Sequence, residues 1–175
     1  MLALAPDSKG FGFAVLESPK NLIDYGAKKV KGDKTSASLI KINNLIDHYQ
    51  PDVVVLRDFT RDVTRHSPRV RQLSQEISIF ALCQKVKVRN VSRIRIIKRL
   101  SLSARCTKHQ IASRIAKELP ELASRLPSSR MPWMSEDERM SIFDAVALAL
   151  TLMGNSRKEQ DESLGCETIQ QAKAG

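Results

Sequence analysis

From Met140 to Met153 the chain is apolar on nearly every side of a helical wheel, with one charge inside the run, Asp144. A helix of that kind has to be wrapped by other elements, so the rest of the chain must build a core around it. Its start is marked by Ser135 and Glu138, the spacing of a capping box. Glu136, Asp137 and Glu138 suit the positive end of the helix dipole. Gly154 stands where a left-handed cap would end the helix. An uncompensated buried carboxylate costs roughly several kcal/mol, so Asp144 needs a cation, a metal or several donors beside it. Two accounts fit: an ion pair with one of the many arginines, or a carboxylate aimed into an active site.

The 175 residues suit one domain, and 42% hydrophobic residues suffice for its core. With 29 Lys+Arg against 19 Asp+Glu the chain carries +10, and the distribution sharpens the point. No acid occurs between Glu76 and Glu118, where Lys85, Lys87, Arg89, Arg93, Arg95, Lys98, Arg99, Arg105, Lys108, Arg114 and Lys117 all fall. A field of one sign and that density predicts a polyanionic partner, above all nucleic acid; a solvated basic face is the plainer account. Cys83, Cys106 and Cys166 are too scattered for a disulfide framework or a zinc site. There is no signal-peptide pattern and no apolar run long enough for a membrane, so a cytoplasmic protein is expected.

Met1–Ala5, Phe11–Glu17 and Leu22–Ala27 read as three strands joined by tight turns, an antiparallel meander. From about Thr35 the period turns helical, with Leu39, Ile42, Ile46 and Tyr49 on one face until Pro51. Val53–Leu56 is an unbroken apolar run, as in a central strand covered on both sides, and it ends at Arg57-Asp58. A loop over 59–67 precedes a helix capped by Ser67 with Pro68 in its first turn. Lys85–Val91 alternates basic and apolar residues, which predicts a half-exposed strand near a sheet edge. Ser92–Leu100 reads as a basic helix, and Thr107 caps another through roughly Leu119. The polar, aperiodic stretch 155–175 is expected to be disordered. The order predicts an α/β fold: a mixed five-stranded sheet, antiparallel meander then parallel strands, with helices on both faces. Sites in such sheets form at strand carboxyl ends.

These pieces resemble the RuvC-type Holliday-junction resolvases of the ribonuclease H-like superfamily. The carrying residues are Leu2–Pro6 with Gly12–Glu17, Asp24-Tyr25-Gly26, Pro51–Leu56, Thr107–Ala112 and Phe143–Ala149. The resemblance spans residues 1–153 and implies one ribonuclease H-like domain followed by a tail over 154–175. It also implies a carboxylate cluster holding two Mg²⁺ or Mn²⁺ ions a little under about 4 Å apart, which hydrolyse a phosphodiester.

Transferred position by position, the resemblance is uneven. Asp144 matches the family's helix acid, and Lys108 matches the lysine placed near the scissile phosphate. The first-strand acid falls on Ala5, with Asp7 two residues on. The central-strand acid falls on Arg57, with Asp58 next to it, and the second helix acid falls on Ser141. The catalytic set implied is therefore Asp7, Asp58, Asp144 and Lys108, with the three acids as metal ligands. Asp137, about 10 Å along the helix, is a reserve whose simpler role is charge in the first turn. Nucleic acid, DNA above all, is expected on Arg61, Arg65, Lys98, Arg99, Arg105 and Lys108. The resemblance also implies a homodimer, for which the helix Ser67–Lys85 offers a surface.

Three functions compete at this point. One is a metal-dependent nuclease acting on branched or double-stranded DNA. Another is a nuclease fold that has lost its metal ligands and grips nucleic acid without cutting it. The third is an assembly protein whose basic face meets an acidic protein. Aromatic residues are only 5% of the chain, which argues against an extended stacking platform of the single-strand-binding kind.

Overall fold

The structure is a computed structural model, and it describes residues 1–59, 67–131 and 133–154. Strands β1 (Leu2–Pro6), β2 (Gly10–Ser18) and β3 (Asn21–Lys29) form the expected meander. Helix α1 (Lys34–Tyr49) leads to β4 (Val53–Arg57), and α2 (Pro68–Cys83) leads to β5 (Lys87–Val91). Helices α3 (Arg93–Arg99) and α4 (Lys108–Glu118) follow, then a short 3₁₀ turn (Pro120–Arg125) and the apolar helix α5 over 140–154. The sheet order is β3-β2-β1-β4-β5. Pairing is antiparallel from β3 to β1 and parallel from β1 to β5. This is the mixed five-stranded sheet read from the sequence, with Lys87–Val91 on its edge as expected. Among the described residues no helix is long and apolar enough to cross a membrane.

Alternation along the strands divides the core in two. Leu2, Leu4, Phe11, Phe13, Val15, Val54 and Leu56 face one way, onto Ile42 and Ile46 of α1 and Leu73, Ile77 and Ala81 of α2. Ala3, Ala5, Ala14, Leu16 and Val55 face the other way, onto α3, α4 and α5. The side chains explain which helix takes which face. A face of leucine and phenylalanine fills the space beneath ordinary amphipathic helices. A face of alanine lets a stripe of small residues on α5, Ser141, Ala145 and Ala149 at four-residue spacing, come close. Gly12 marks the nearest approach: a Cβ there would lie 2.7 Å from the Ser141 Cβ and closer still to the Ser141 carbonyl group.

Helix starts follow local chemistry. Asp33 caps α1 by accepting from the Thr35 N–H at 3.1 Å. Ser67 caps α2 with Pro68 in its first turn, as read. Thr107 and Gln110 form a reciprocal capping box on α4: the Thr107 hydroxyl accepts from Gln110 N–H at 3.2 Å, and Gln110 accepts from Thr107 N–H at 2.8 Å. The start of α5 differs from expectation. The helix begins at residue 140, not at Ser135, and Asp137 shapes the turn that leads into it. The Asp137 carboxylate accepts from Arg139 N–H at 2.9 Å, and tight i→i+3 bonds run from Met140, Ser141 and Ile142 back to 137–139. A carboxylate placed directly at the turn outcompetes a serine set two residues too early. Gly154 is helical, not a left-handed cap; its missing side chain makes room for Arg99, whose Nε would be 2.5 Å from a Cβ there. The stretch 155–175 lies outside the described residues.

Candidate functional site

β1 and β4 run parallel, so their carboxyl ends emerge side by side, and α4 and α5 bring their first turns to the same place. A cleft of about 250 Å³ opens there, bordered by Ala5, Pro6 and Asp7 from β1 and the following turn, and by Arg57 and Phe59 after β4. Lys108, Glu136 and Asp144 complete its polar rim. A smaller recess of about 110 Å³ adjoins it, bordered by Asp7, Lys9, Lys108, Glu136, Asp137, Glu138, Ser141 and Asp144.

The centre of the site is an ion pair. The Lys108 ammonium lies 3.1 Å from Asp144 Oδ2 and 2.8 Å from Glu136 Oε1. Burial disfavours the ammonium. The charge of Asp144 and the hydrogen bond and charge of Glu136 outweigh that cost, so the Lys108 pKa stands above the ordinary lysine value. The question posed by a lone carboxylate in an apolar helix thus has a local answer: Asp144 is half-buried, 28% exposed, and a lysine sits against it. The capping box of α4 fixes that lysine, since Lys108 is the first residue after the Thr107 cap.

The other expected residues divide. Asp7 reaches the same cleft, but its Oδ1 accepts from the N–H groups of Lys9 at 2.6 Å and Gly10 at 2.7 Å. That oxygen shapes the turn between β1 and β2. Asp58 continues the β4–β5 ladder through its N–H to the Val91 carbonyl, at 3.0 Å, and is not among the residues bordering either cleft. Arg57 does border the larger cleft, with its guanidinium 5.8 Å from the Phe59 ring centroid. Ala5 is buried, and the Ser141 hydroxyl donates to the Glu138 carbonyl at 2.6 Å. Asp137, the reserve ligand, is held by Arg139, whose guanidinium donates to it at 2.7 and 3.0 Å. That contact keeps its carboxyl below the ordinary value and fits the first-turn role.

These facts bear on the ions that the resemblance implies. Asp7 and Asp144 are the sequence-predicted acids brought together, and each already has an oxygen engaged. Among the described residues no three His, Cys, Asp or Glu side chains are grouped to hold a metal ion. Among the described residues, the donors at this site do not by themselves make up a two-ion centre.

Of the expected nucleic-acid contacts, Lys98 and Arg105 are exposed. Arg99 is drawn inward, 3.7 Å from Glu118 and packed on Gly154, so part of its charge serves the fold. Arg61 and Arg65 lie outside the described residues. Glu136 is the member that sequence reasoning passed over. It was read only as charge for the helix dipole, whereas it is Lys108's second partner, and its carbonyl accepts from the Lys9 ammonium at 3.4 Å.

No protein-family model matches the sequence, and no curated protein matches it. Solved structures do. The chain is similar to Thermus thermophilus RuvC in complex with a Holliday-junction substrate, with a TM-score of 0.65 at 16% identity. That match covers 90% of this chain and 96% of that one. A second Thermus thermophilus RuvC structure gives 0.62 at 16% identity over 91% and 97%. The fold is therefore the ribonuclease H-like fold of RuvC, as the resemblance implied.

Proposed function

We propose that this chain is a RuvC-like nucleic-acid-processing protein that engages branched or double-stranded DNA across the face where β1, β4, α4 and α5 meet. One observation carries the reading: Lys108, fixed at the start of α4, borders an open cleft at the strand ends and belongs to the acid-free basic stretch between Glu76 and Glu118. A phosphate entering the cleft would exchange Glu136, on the exposed side, for its own oxygens around Lys108. Support also comes from the fold, since one RuvC of this architecture was solved with a Holliday-junction substrate.

Phosphodiester hydrolysis by Asp7, Asp58 and Asp144 with Mg²⁺ or Mn²⁺ is the finer form of this reading. In its favour, Asp7, Glu136 and Asp144 border one recess. Against it stand Ala5, Arg57 and Ser141 at acid positions, and oxygens of Asp7 and Asp144 already bonded. A second reading, a nuclease fold that grips DNA without cutting it, would rest on those observations. A homodimer joins the proposal through α2, where Ile79 and Leu82 are exposed.

The test is a synthetic four-way junction incubated with the protein in EDTA, Mg²⁺ or Mn²⁺, beside Asp144→Asn. Binding that weakens steeply with salt and is indifferent to EDTA supports the grip reading. Metal-dependent cleavage lost in Asp144→Asn establishes the nuclease instead. Absence of binding to any DNA at low salt refutes both.

A further inference from the structure

Trp133 is the one tryptophan of the chain, and it is 81% exposed; Met131 and Met134 beside it are 55% and 51% exposed. Large apolar side chains clustered in water forgo the burial that drives folding, and such patches mark binding surfaces. The backbone here is closed rather than loose. Met134 N–H donates to the Met131 carbonyl at 3.0 Å, and the Arg130 guanidinium donates to the Met134 carbonyl at 2.8 Å. The indole is thus presented from a pinned turn.

Arg130 and Met134, on either side of the indole, border a cleft of about 580 Å³ that reaches Lys108 at the edge of the Asp144 site; Trp133 itself stands outside its lining. The charges around it are mixed: Lys9, Lys29, Lys108 and Arg130 against Glu136, Asp137 and Glu138. A duplex presents one negative charge per about 1.7 Å of axis and would be opposed by those carboxylates. A base turned out of its stack has an uncharged π-face, which needs no cation beneath it and stacks on an exposed indole. A single flanking phosphate, unlike the continuous run of a duplex, needs only the local cation that Arg130 supplies at the cleft's edge.

We infer that the Trp133 turn is a stacking platform for an unpaired base, at a branch point or frayed strand end of the DNA. The inference rests on the DNA reading above and adds what is recognised: an unstacked base rather than uniform duplex. It is a single ring, not the extended aromatic surface that the low aromatic content argues against.

Because the chain has one tryptophan, its fluorescence reports on this turn alone. The full-length protein is titrated in EDTA with a splayed-arm fork and with a blunt duplex, beside Trp133→Phe and Trp133→Leu. Both substitutions fall on an exposed side chain, and circular dichroism checks that the fold is kept. The expected result is quenching by the fork but not the duplex. Fork affinity should fall about tenfold in Trp133→Leu and be largely retained in Trp133→Phe, with duplex affinity unchanged. Equal fork affinity in all three proteins without quenching overturns the inference and leaves the DNA reading standing. A blue shift with protein concentration alone, without DNA, also overturns it, since the patch is then a contact between copies. A parent protein that binds neither fork nor duplex removes the DNA reading itself, and this inference with it.

Discussion

Replacing Gly12 by alanine tests whether the close seat of α5 on the sheet is what holds the site together. In a strand, alanine would ordinarily be the better residue, by about 0.4–1 kcal/mol, because glycine loses more freedom on folding. Here the added methyl would meet Ser141 at 2.7 Å from its Cβ and nearer still to its carbonyl group, whereas ordinary contact begins at 3.4 Å. Helix or strand must retreat by about 1 Å, and two backbones cannot yield by changing rotamer. Overpacking costs about 1–3 kcal/mol and occasionally more; with backbone on both sides we expect the upper end, about 3 kcal/mol, so the steric cost wins. For a chain of this size that lowers Tm by about 6–12 °C. Gly32 is the control: it sits at φ +71° with nothing within 4 Å of a Cβ, so alanine there meets only the left-handed penalty of about 1–2 kcal/mol. Differential scanning calorimetry of the two variants decides. A Gly12→Ala protein as stable as the parent, or more stable than Gly32→Ala, refutes the packing argument.

Lys108→Gln should weaken binding to every DNA about five- to tenfold and lower the salt slope by about one, read by fluorescence anisotropy across a salt series. Thr107→Ala removes half of the α4 capping box and should cost about 1 kcal/mol, or about 2–4 °C in Tm, with a parallel loss of DNA affinity because Lys108 follows the cap. The Tyr49 hydroxyl donates to Asp24 at 2.5 Å, which lifts the phenol to about 12. A raised folded-state pKa contributes stability that is full below about pH 10 and lost as pH rises toward about 12. Urea unfolding over that range should therefore fall more steeply in the parent than in Tyr49→Phe. If α2 forms the dimer, Ile79→Asp with Leu82→Asp should convert it to monomer in sedimentation equilibrium at unchanged fold.

The sheet was legible because each strand advertises its surroundings. Leu2 and Leu4 alternate with Ala3 and Ala5, Val53–Leu56 is apolar throughout, and Lys87–Val91 alternates with charge; these patterns place a meander, a centre and an edge. Helix caps that use a neighbouring residue, Ser67 and Thr107, were equally readable. The start of α5 differs from the capping-box reading because Asp137, two residues after Ser135, holds the Arg139 N–H and guanidinium locally. Asp144 stood out as one charge in an apolar helix, but its partner Lys108 lies 36 residues away on another element. Glu136, which completes the pair, could be assigned only once the approach to α5 had been traced. What the two views agree on is the substitution pattern. Ala5 and Gly12 are partners in the β1–β2 register, and Gly12 lies against Ser141, so small residues stand together where β1, β2 and α5 meet. The close approach of α5 to β2 at Gly12 is what brings Asp144 to the strand ends beside Asp7.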